Sequence, residues 1–281
     1  MATSDKFPER AVKTLIGDLN DAEDRLPGTY PIYPITTLNH LHNVFPSEAS
    51  TIVDAPPLVY FGIGTNGFYN TDDKTGCEPY APKKHENNLY EPLPFRVVPI
   101  ESDLSDAERL KYRMRVEITV NGIHYWAYYL KLMEIVDVSS KISRIDPVTG
   151  VSTPYEFSSE YLTPTPTKTS TSGTSDGSIT EVVVTKQVRA EVLGSEVYEA
   201  VNILYDGDLT KAKISEWGIF SGLDKIMQGT GYDGVAVPYT EAIYAQMAYK
   251  LCNTGTGIHS ASQTHGRIFT FGNGKLIHQD L

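Results

Sequence analysis

The amino-acid sequence predicts an α+β protein that is predominantly antiparallel β, with a few peripheral helices and extended arms. The strongest observation is the segment 113–130, where two alternating strands flank Asn121 and Gly122, the dipeptide most typical of a two-residue β-hairpin turn. A second is the segment 181–193, which is rich in β-branched residues and predicts a long strand. Helical spacing of apolar residues occurs only in short segments, so few helices are expected.

The Asn-Gly turn also sets the register of the hairpin, because a two-residue turn leaves one way of pairing the strands. The predicted pairs are Val120/Ile123, Ile118/Tyr125 and Val116/Ala127 on an apolar face, and Thr119/His124, Glu117/Trp126 and Arg115/Tyr128 on a mixed face. A sheet with large aromatic residues on its second face is usually covered by another layer or by a neighbouring subunit.

Composition is that of a globular protein with an acidic surface. The chain has 281 residues, of which 40% are hydrophobic and 21% charged, and this length allows one large or two modest domains. The formal net charge is −11 without any cluster of Lys and Arg, which excludes nucleic-acid binding through a broad basic surface. The 18 tyrosines suit surfaces that become buried on assembly.

Neither a membrane span nor a secretion signal is predicted. No run approaches the roughly 18 apolar residues that a span needs, and the first residues lack a charged-then-apolar pattern. We therefore expect the protein to be made in the cytoplasm and, at least initially, kept there. Cys77 and Cys252 lie far apart, so free buried thiols are expected instead of a disulfide or a zinc site.

Residues 1–57 are predicted to form an N-terminal helix and a Pro-rich arm. Apolar residues in 10–19 recur at helical intervals after Pro8. From Tyr30 onward, prolines separate short apolar pairs. This pattern disfavours long helices and favours an extended arm that wraps over a surface.

Residues 58–138 are predicted to form a β domain around the hairpin. Strands are expected over 58–61 and over 93–100, and the prolines that bound the second suit a sheet edge. A capping box at 105–108, Ser-Asp-Ala-Glu, opens a short helix to about Tyr112. The second strand of the hairpin is expected to continue to the end of this domain.

Residues 139–180 are predicted to be a Ser/Thr/Pro-rich extended loop or linker. This composition is densest in 163–177, and such a stretch cannot bury enough apolar area to fold alone.

Residues 181–281 are predicted to form a C-terminal α+β region that packs with 58–138. After its first strand, the segment 195–205 suits either a helix capped by Ser195 or a further strand, and we favour the helix. A clearer helix is expected over 240–251, where apolar residues recur at i+3, i+4 and i+7.

Two short motifs are interpreted as turns. Residues 62–67 match GxGxxG and follow a strand, but the dinucleotide fingerprint must open a helix, and the turn-rich residues 68–76 follow here. Asp73-Lys-Thr-Gly resembles the phosphorylated-aspartate motif of ion-pumping ATPases. Those proteins need a membrane domain and a much longer chain, so loop chemistry explains the match.

No catalytic, cofactor-binding or metal-binding residue is predicted, and no cofactor is implied. Metal sites need three or four converging ligands. We interpret the histidine groups, His40 with His42 and the tail residues His259, His265 and His278, as surface or hydrogen-bonding residues.

Neither a catalytic nucleophile nor a catalytic pair of carboxylates is predicted. There is no GxSxG elbow, and the acidic neighbour Glu78 disfavours a reactive thiolate at Cys77. The pairs Asp72/Asp73 and Asp103/Asp106 would suit acid and base roles. Turn formation and, for Asp106, charge at a helix N-terminus explain them better.

Residues 213–222 have the sequence Lys-Ile-Ser-Glu-Trp-Gly-Ile-Phe-Ser-Gly. This segment resembles one that recurs in tail, baseplate and fibre proteins of tailed bacteriophages, with Trp217 in place of the usual aliphatic residue. The block from Leu58 through residues 93–99 to the start of the hairpin at Tyr112 is similar to baseplate-wedge or neck proteins of contractile-tailed phages.

The resemblance implies a non-enzymatic virion part, present in several copies around the tail axis, whose partners are other virion structural proteins and copies of itself. No nucleic acid and no membrane are expected as partners. Two alternatives stay open. One is a carbohydrate-binding or carbohydrate-cleaving tail module that uses exposed tyrosines and Trp126 or Trp217 as stacking platforms; the other is a cytoplasmic enzyme with an unrecognised site.

Overall fold

The computed structural model describes residues 9–15, 17–18, 56–72, 76–156, 159, 179–230 and 236–278. Contacts divide the chain into two compact units: unit 1 comprises Met1–Met133 and Glu191–Gly266, and unit 2 comprises Glu134–Ala190 and Arg267–Leu281. Antiparallel strands dominate the described residues and helices are few, which confirms the predicted α+β, predominantly β class.

An antiparallel eight-stranded sheet forms the framework of unit 1. Its main path runs β1 (Glu9–Lys13), β13 (Ala236–Gly257), β12 (Lys213–Thr230), β2 (Leu58–Gly64), β8 (Ile123–Leu132) and β6 (Arg96–Pro99), while β5 (Pro92–Leu93) pairs with β2 and β7 (Tyr112–Val120) with β8. A small separate sheet pairs β3 (Phe68–Asn70) with β4 (Cys77–Pro79). The core of unit 1 includes the buried residues Tyr60, Leu89, Met114, Leu130, Phe220, Ala242, Ala245 and Met247.

The hairpin of β7 and β8 has the predicted register at every one of the six pairs. Asn121 and Gly122 both have positive φ, 51° and 80°, as the type I′ turn requires. The second strand is shorter than predicted, since β8 ends at Leu132 and β9 (Glu134–Ile145) belongs to another sheet.

Two short helices agree in position with the sequence. Helix α1 (Asp106–Arg109) carries the predicted capping box between Ser105 and Glu108, although it is shorter than expected. Helix α2 (Gly194–Leu204) confirms the helical alternative. Its N-cap is Leu193 and not the predicted Ser195. The Leu193 N–H donates to the carboxylate of Glu196 at 2.8 Å.

The helix predicted over 240–251 is wrong, since these residues lie in strand β13. This strand sits between β1 and β12, and Tyr244 and the four residues that follow it are all buried. Bulges at Ile219/Phe220 and Leu223/Asp224 of the paired strand β12 shift the register. Because the strand is buried on both faces and its ladder contains bulges, its sequence lacks the alternation of apolar and polar residues that marks a half-buried strand.

The helix predicted over 10–19 is also wrong in its first part. Glu9–Lys13 is strand β1, paired with residues 249–253 of β13, and helical geometry begins only at Leu15. Long-range pairing here overrides a local helical pattern. The Pro-rich arm lies outside the described residues except for Pro56 and Pro57.

Unit 2 contains most of a four-stranded sheet in the order β10 (Ser152–Pro154), β9, β11 (Ile179–Leu193) and β14 (Thr264–His278). The loop predicted over 139–180 is therefore wrong at both ends, because residues 139–145 and 152–154 are strands and β11 begins at Ile179. The densest Ser/Thr segment, 163–177, lies outside the described residues.

The two cysteines differ in environment: Cys252 is buried as predicted, whereas Cys77 is exposed, contrary to the prediction. Burial raises the pKa of the Cys252 thiol to about 12. We expect one thiol per native chain to react with a small aromatic disulfide at pH 8 and both to react in denaturant. Two reactive thiols before unfolding would contradict the burial of Cys252.

Candidate functional site

The GxGxxG segment serves close packing. Strand β3 follows Gly67 directly, where a dinucleotide site requires a helix. A Cβ at Gly67 would lie 2.1 Å from the backbone oxygen of Ser215, and one at Gly64 would lie 2.7 Å from Glu216 Oε1. The interpretation as a turn holds only for residues 65–67, because residues 62–64 end strand β2. Neighbouring atoms, and not positive φ, require glycine at 64 and 67.

We expect Gly67→Ala to lower the free energy of unfolding by about 3 kcal/mol, because the added methyl group meets rigid backbone. Gly266→Ala is the matched control, since a Cβ there has no neighbour within 4 Å. Urea denaturation of both variants checks this, and equal stability of the two would contradict it.

The side chain of Glu216 is a fully buried charged group of this region, with 0% exposure. Oε1 accepts the backbone N–H groups of Asn66 and Glu91, both at 3.1 Å, and Oε2 accepts that of Tyr90 at 2.6 Å. The carboxylate thereby fixes two connecting segments against strand β12.

Lys250 of the adjacent strand faces the same carboxylate. Its Nζ lies 3.8 Å from Glu216 Oε2 and 3.3 Å from Glu86 Oε2, and it donates to the carbonyl of Asn88 at 3.1 Å. Burial lowers the pKa of Lys250 even though both carboxylates favour its charged form. Burial would raise the pKa of Glu86, but hydrogen bonding from Tyr90 and the charge of Lys250 outweigh it, so that pKa is lowered.

This cluster, Glu216 with Lys250 and Glu86, anchors connecting segments to strands β12 and β13. Neither the Glu216 nor the Lys250 side chain has solvent exposure, so a substrate has no access to them. Neither Glu216 nor Lys250 is among the candidate residues predicted from the sequence. A charged residue inside each of two apolar strand segments was the available signal.

A second buried network joins β7 to the strands β12 and β13. Arg113 donates to both oxygens of Asp224, from Nε at 3.0 Å and from Nη2 at 2.9 Å, and Tyr60 also donates to Asp224. Met114 has a φ of 61°, and its N–H donates to Glu241 Oε1 at 2.7 Å. Burial raises the pKa of Glu241.

A partly open cavity of about 260 Å³ lies beside this network, in unit 1. Its lining includes Asp106, Arg109, Leu110, Ile226, Tyr239 and Thr240. The guanidinium carbon of Arg109 lies 4.1 Å from the ring centre of Tyr239. Arg115 similarly covers the ring of Trp126 at 4.3 Å. The cavity is a concave site open to solvent on one side.

Three exposed tyrosines form a surface cluster on the same unit. The rings of Tyr69 and Tyr80 are 5.2 Å apart, and those of Tyr80 and Tyr90 are 5.5 Å apart. Carboxylates lie beside them, because Tyr69 donates to Glu78 at 2.9 Å and Tyr90 donates to Glu86 at 2.8 Å. We call Tyr69, Tyr80 and Tyr90 the tyrosine patch.

Several stacking and carboxylate candidates named from the sequence have structural roles. Trp217 is 3% exposed and stacks on Phe61, which removes it as a stacking platform. Asp103 accepts from Tyr128 at 2.6 Å and pairs with Arg115 at 2.7 Å. Asp106 is the first residue of α1, as interpreted.

Metal ligands do not converge anywhere in the described ranges, where no group of three His, Cys, Asp or Glu residues is placed to hold an ion. His40, His42 and residues 73–75 lie outside those ranges. The helices described are all too short or too polar to cross a membrane.

A family model described as "Family of unknown function (DUF7208)" matches residues 1–279. No curated protein and no solved structure matches the chain. Because the family match covers almost its full length, the chain belongs to the DUF7208 family.

Proposed function

We propose that the protein is a non-enzymatic structural subunit of a tailed-phage particle, assembled in the host cytoplasm into the baseplate or neck. Its partners in this proposal are other virion structural proteins and copies of itself, with no nucleic acid or membrane. The resemblance of residues 213–222 to phage tail proteins suggests the setting. The observation that carries the proposal is the open sheet of unit 2.

The sheet of unit 2 exposes apolar side chains that a self-sufficient domain would cover. The first eight residues of β9 are all exposed. Val138 and Val184 are 62% and 48% exposed. Val184 lies opposite Ser140, and Ser140 is two residues from Val138 on the same strand, so the two valines share a face. A sheet normally buries at least one face against another layer, and none is present within the described part of unit 2. Contact with neighbouring subunits would supply that layer.

The test is whether this sheet is needed for incorporation into particles. Mass spectrometry of purified particles should detect the chain, and hydrogen exchange in β9 should slow on assembly. We expect Val138→Glu to fold but to be lost from particles. Val148→Glu, at a turn residue that is 90% exposed, should be incorporated normally. Absence of the wild-type chain from particles would overturn the proposal.

The tyrosine patch favours a second candidate function, a carbohydrate-binding tail module. Tyrosine rings stack on sugar rings, and the adjacent carboxylates of Glu78 and Glu86 can accept sugar hydroxyl groups. The three tyrosines are each 37–39% exposed, so their rings are accessible within unit 1.

A glycan array and a depolymerisation assay separate the two functions. Binding that is lost in Tyr80→Ala but kept in the control Tyr155→Ala would favour the carbohydrate module. An array without any bound glycan would remove this candidate and leave the structural subunit.

A further inference from the structure

Strand β7 has an open edge along the outer part of the hairpin. Within the described part of the chain β8 is the only strand that pairs with it, and β8 occupies one side. Glu117 and Thr119 on this strand are both exposed. A strand edge with free N–H and C=O groups can pair with a strand of another chain, so this edge is a candidate interaction surface.

The two-residue turn of the hairpin determines which residues of β7 present free backbone groups. The residue pair beside such a turn is hydrogen-bonded, and hydrogen-bonded pairs then alternate along the two strands. The residues whose N–H and C=O groups point away from β8 are therefore 115, 117 and 119. The N–H of Arg115 agrees with this alternation, since it donates to Glu241 Oε2 at 3.4 Å. No described residue bonds the outward backbone groups of Glu117 and Thr119.

Residues 116–120, Val-Glu-Ile-Thr-Val, are self-complementary when two copies run antiparallel with Ile118 at the centre. Glu117 of each copy then lies opposite Thr119 of the other. These are the residues with free backbone groups, so each pair can exchange both of its N–H···O=C bonds. A centre at Glu117 would instead place two carboxylates opposite each other, which is unfavourable. A centre at Thr119 would need Asn121 to be extended, but its φ is 51°.

The same register joins the apolar faces of the two hairpins. Ile118 meets Ile118 of the other copy and Val116 meets Val120, as pairs without backbone hydrogen bonds, in which side chains lie closest. Val116, Ile118 and Val120 are each only partly buried in one copy, and the neighbouring Ile123 is 52% exposed. Pairing therefore covers apolar area that a single copy leaves in water.

We propose that two copies of the chain pair antiparallel along the outer edge of β7, centred on Ile118, so that their hairpins form one continuous sheet. The contact is isologous, since the same segment serves both copies. It lies in unit 1, on a different surface from the exposed sheet of unit 2, and it does not depend on the virion role proposed above. Because the contact is small, the dimer should form at high protein concentration and dissociate on dilution.

Substitutions at Thr119 test the register through charge. Thr119→Glu places a second carboxylate opposite Glu117 of the other copy and should weaken self-association about tenfold, whereas Thr119→Lys places a cation there and should strengthen it several-fold. Thr270→Glu and Thr270→Lys, at an exposed strand residue of unit 2, are the matched controls and should change nothing. Analytical ultracentrifugation of the full chain over roughly 1 µM to 1 mM covers the range of weak specific affinities.

A disulfide tests the same register through distance, in a Cys77→Ser background because Cys77 is exposed. Ile118→Cys should form an intermolecular disulfide on mild oxidation, since Cα atoms in an antiparallel pair without hydrogen bonds are about 4.5 Å apart. Thr119→Cys is the control one residue along. The two copies of this residue are diagonal neighbours about 7–8 Å apart, too far for a disulfide.

Three results would rule out this pairing: a monomer throughout the concentration range, a change of the same sign in Thr119→Glu and Thr119→Lys, or equal disulfide formation at 118 and 119. Self-association that is lost in Val138→Glu but unchanged in Thr119→Glu would also rule it out, and would assign the contact to the sheet of unit 2.

Discussion

Glu216→Ala is expected to lower the free energy of unfolding by about 3–5 kcal/mol, the range for removing one partner of a buried ion pair. The loss leaves Lys250 buried with only Glu86 as a carboxylate partner. It also removes the acceptor from the backbone N–H groups of Asn66, Tyr90 and Glu91. Chemical denaturation followed by tryptophan fluorescence measures the change, and Trp217 beside the site reports on it.

Two further variants make this test specific. Glu134→Ala removes a carboxylate that is 70% exposed, and exposed ion pairs contribute at most about 1 kcal/mol. Adding Lys250→Met to Glu216→Ala should restore part of the loss, because no uncompensated buried charge remains. A cost below about 1 kcal/mol for Glu216→Ala would show that the anchor contributes little.

Arg113→Met is expected to lower the free energy of unfolding by about 3 kcal/mol. Arg113 is 3% exposed, and besides its two bonds to Asp224 its Nη1 donates to the carbonyl groups of Leu110 and Tyr112 at 2.9 and 2.8 Å. The aliphatic replacement leaves these acceptors and the Asp224 carboxylate unpaired. Asp224 is one-third exposed, so water compensates part of the loss.

Thermal and urea unfolding of Arg113→Met and Arg113→Lys distinguish charge from geometry. Lysine keeps the charge but cannot donate from a planar fork, so an intermediate stability is expected. If Arg113→Lys were as stable as the wild type, the bidentate geometry would have no measurable role in stability.

The local features that the sequence predicts correctly depend on residues that are close together along the chain. The turn at Asn121 and Gly122, the register that it sets, and the capping box at Ser105 each follow from a few adjacent positions, and the structure has all of them. Helix α2 was likewise preferred on local spacing.

The features that were missed depend on distant partners. The sequence of strand β13 predicts a helix, because the strand is buried on both faces and its partner strand carries bulges. The partners Glu216 and Lys250 meet because β12 and β13 pair in a register that places Gly218 opposite Lys250. No local pattern specifies that register, so the sequence shows a charged residue inside each apolar segment but neither their contact nor the cavity.

The pairing of β1 with β13 has a consequence for how the chain folds. Thr14 Oγ1 donates to the carbonyl of Met247 at 2.6 Å across 233 positions of sequence. During synthesis β1 must therefore wait until β13 has been made, and contacts of such long range slow folding. Until β1 pairs, the edge of β13 at residues 249–253 stays open to pairing with other chains. Substitutions that prevent β1 from pairing would thus reveal themselves first as aggregation of newly made chains.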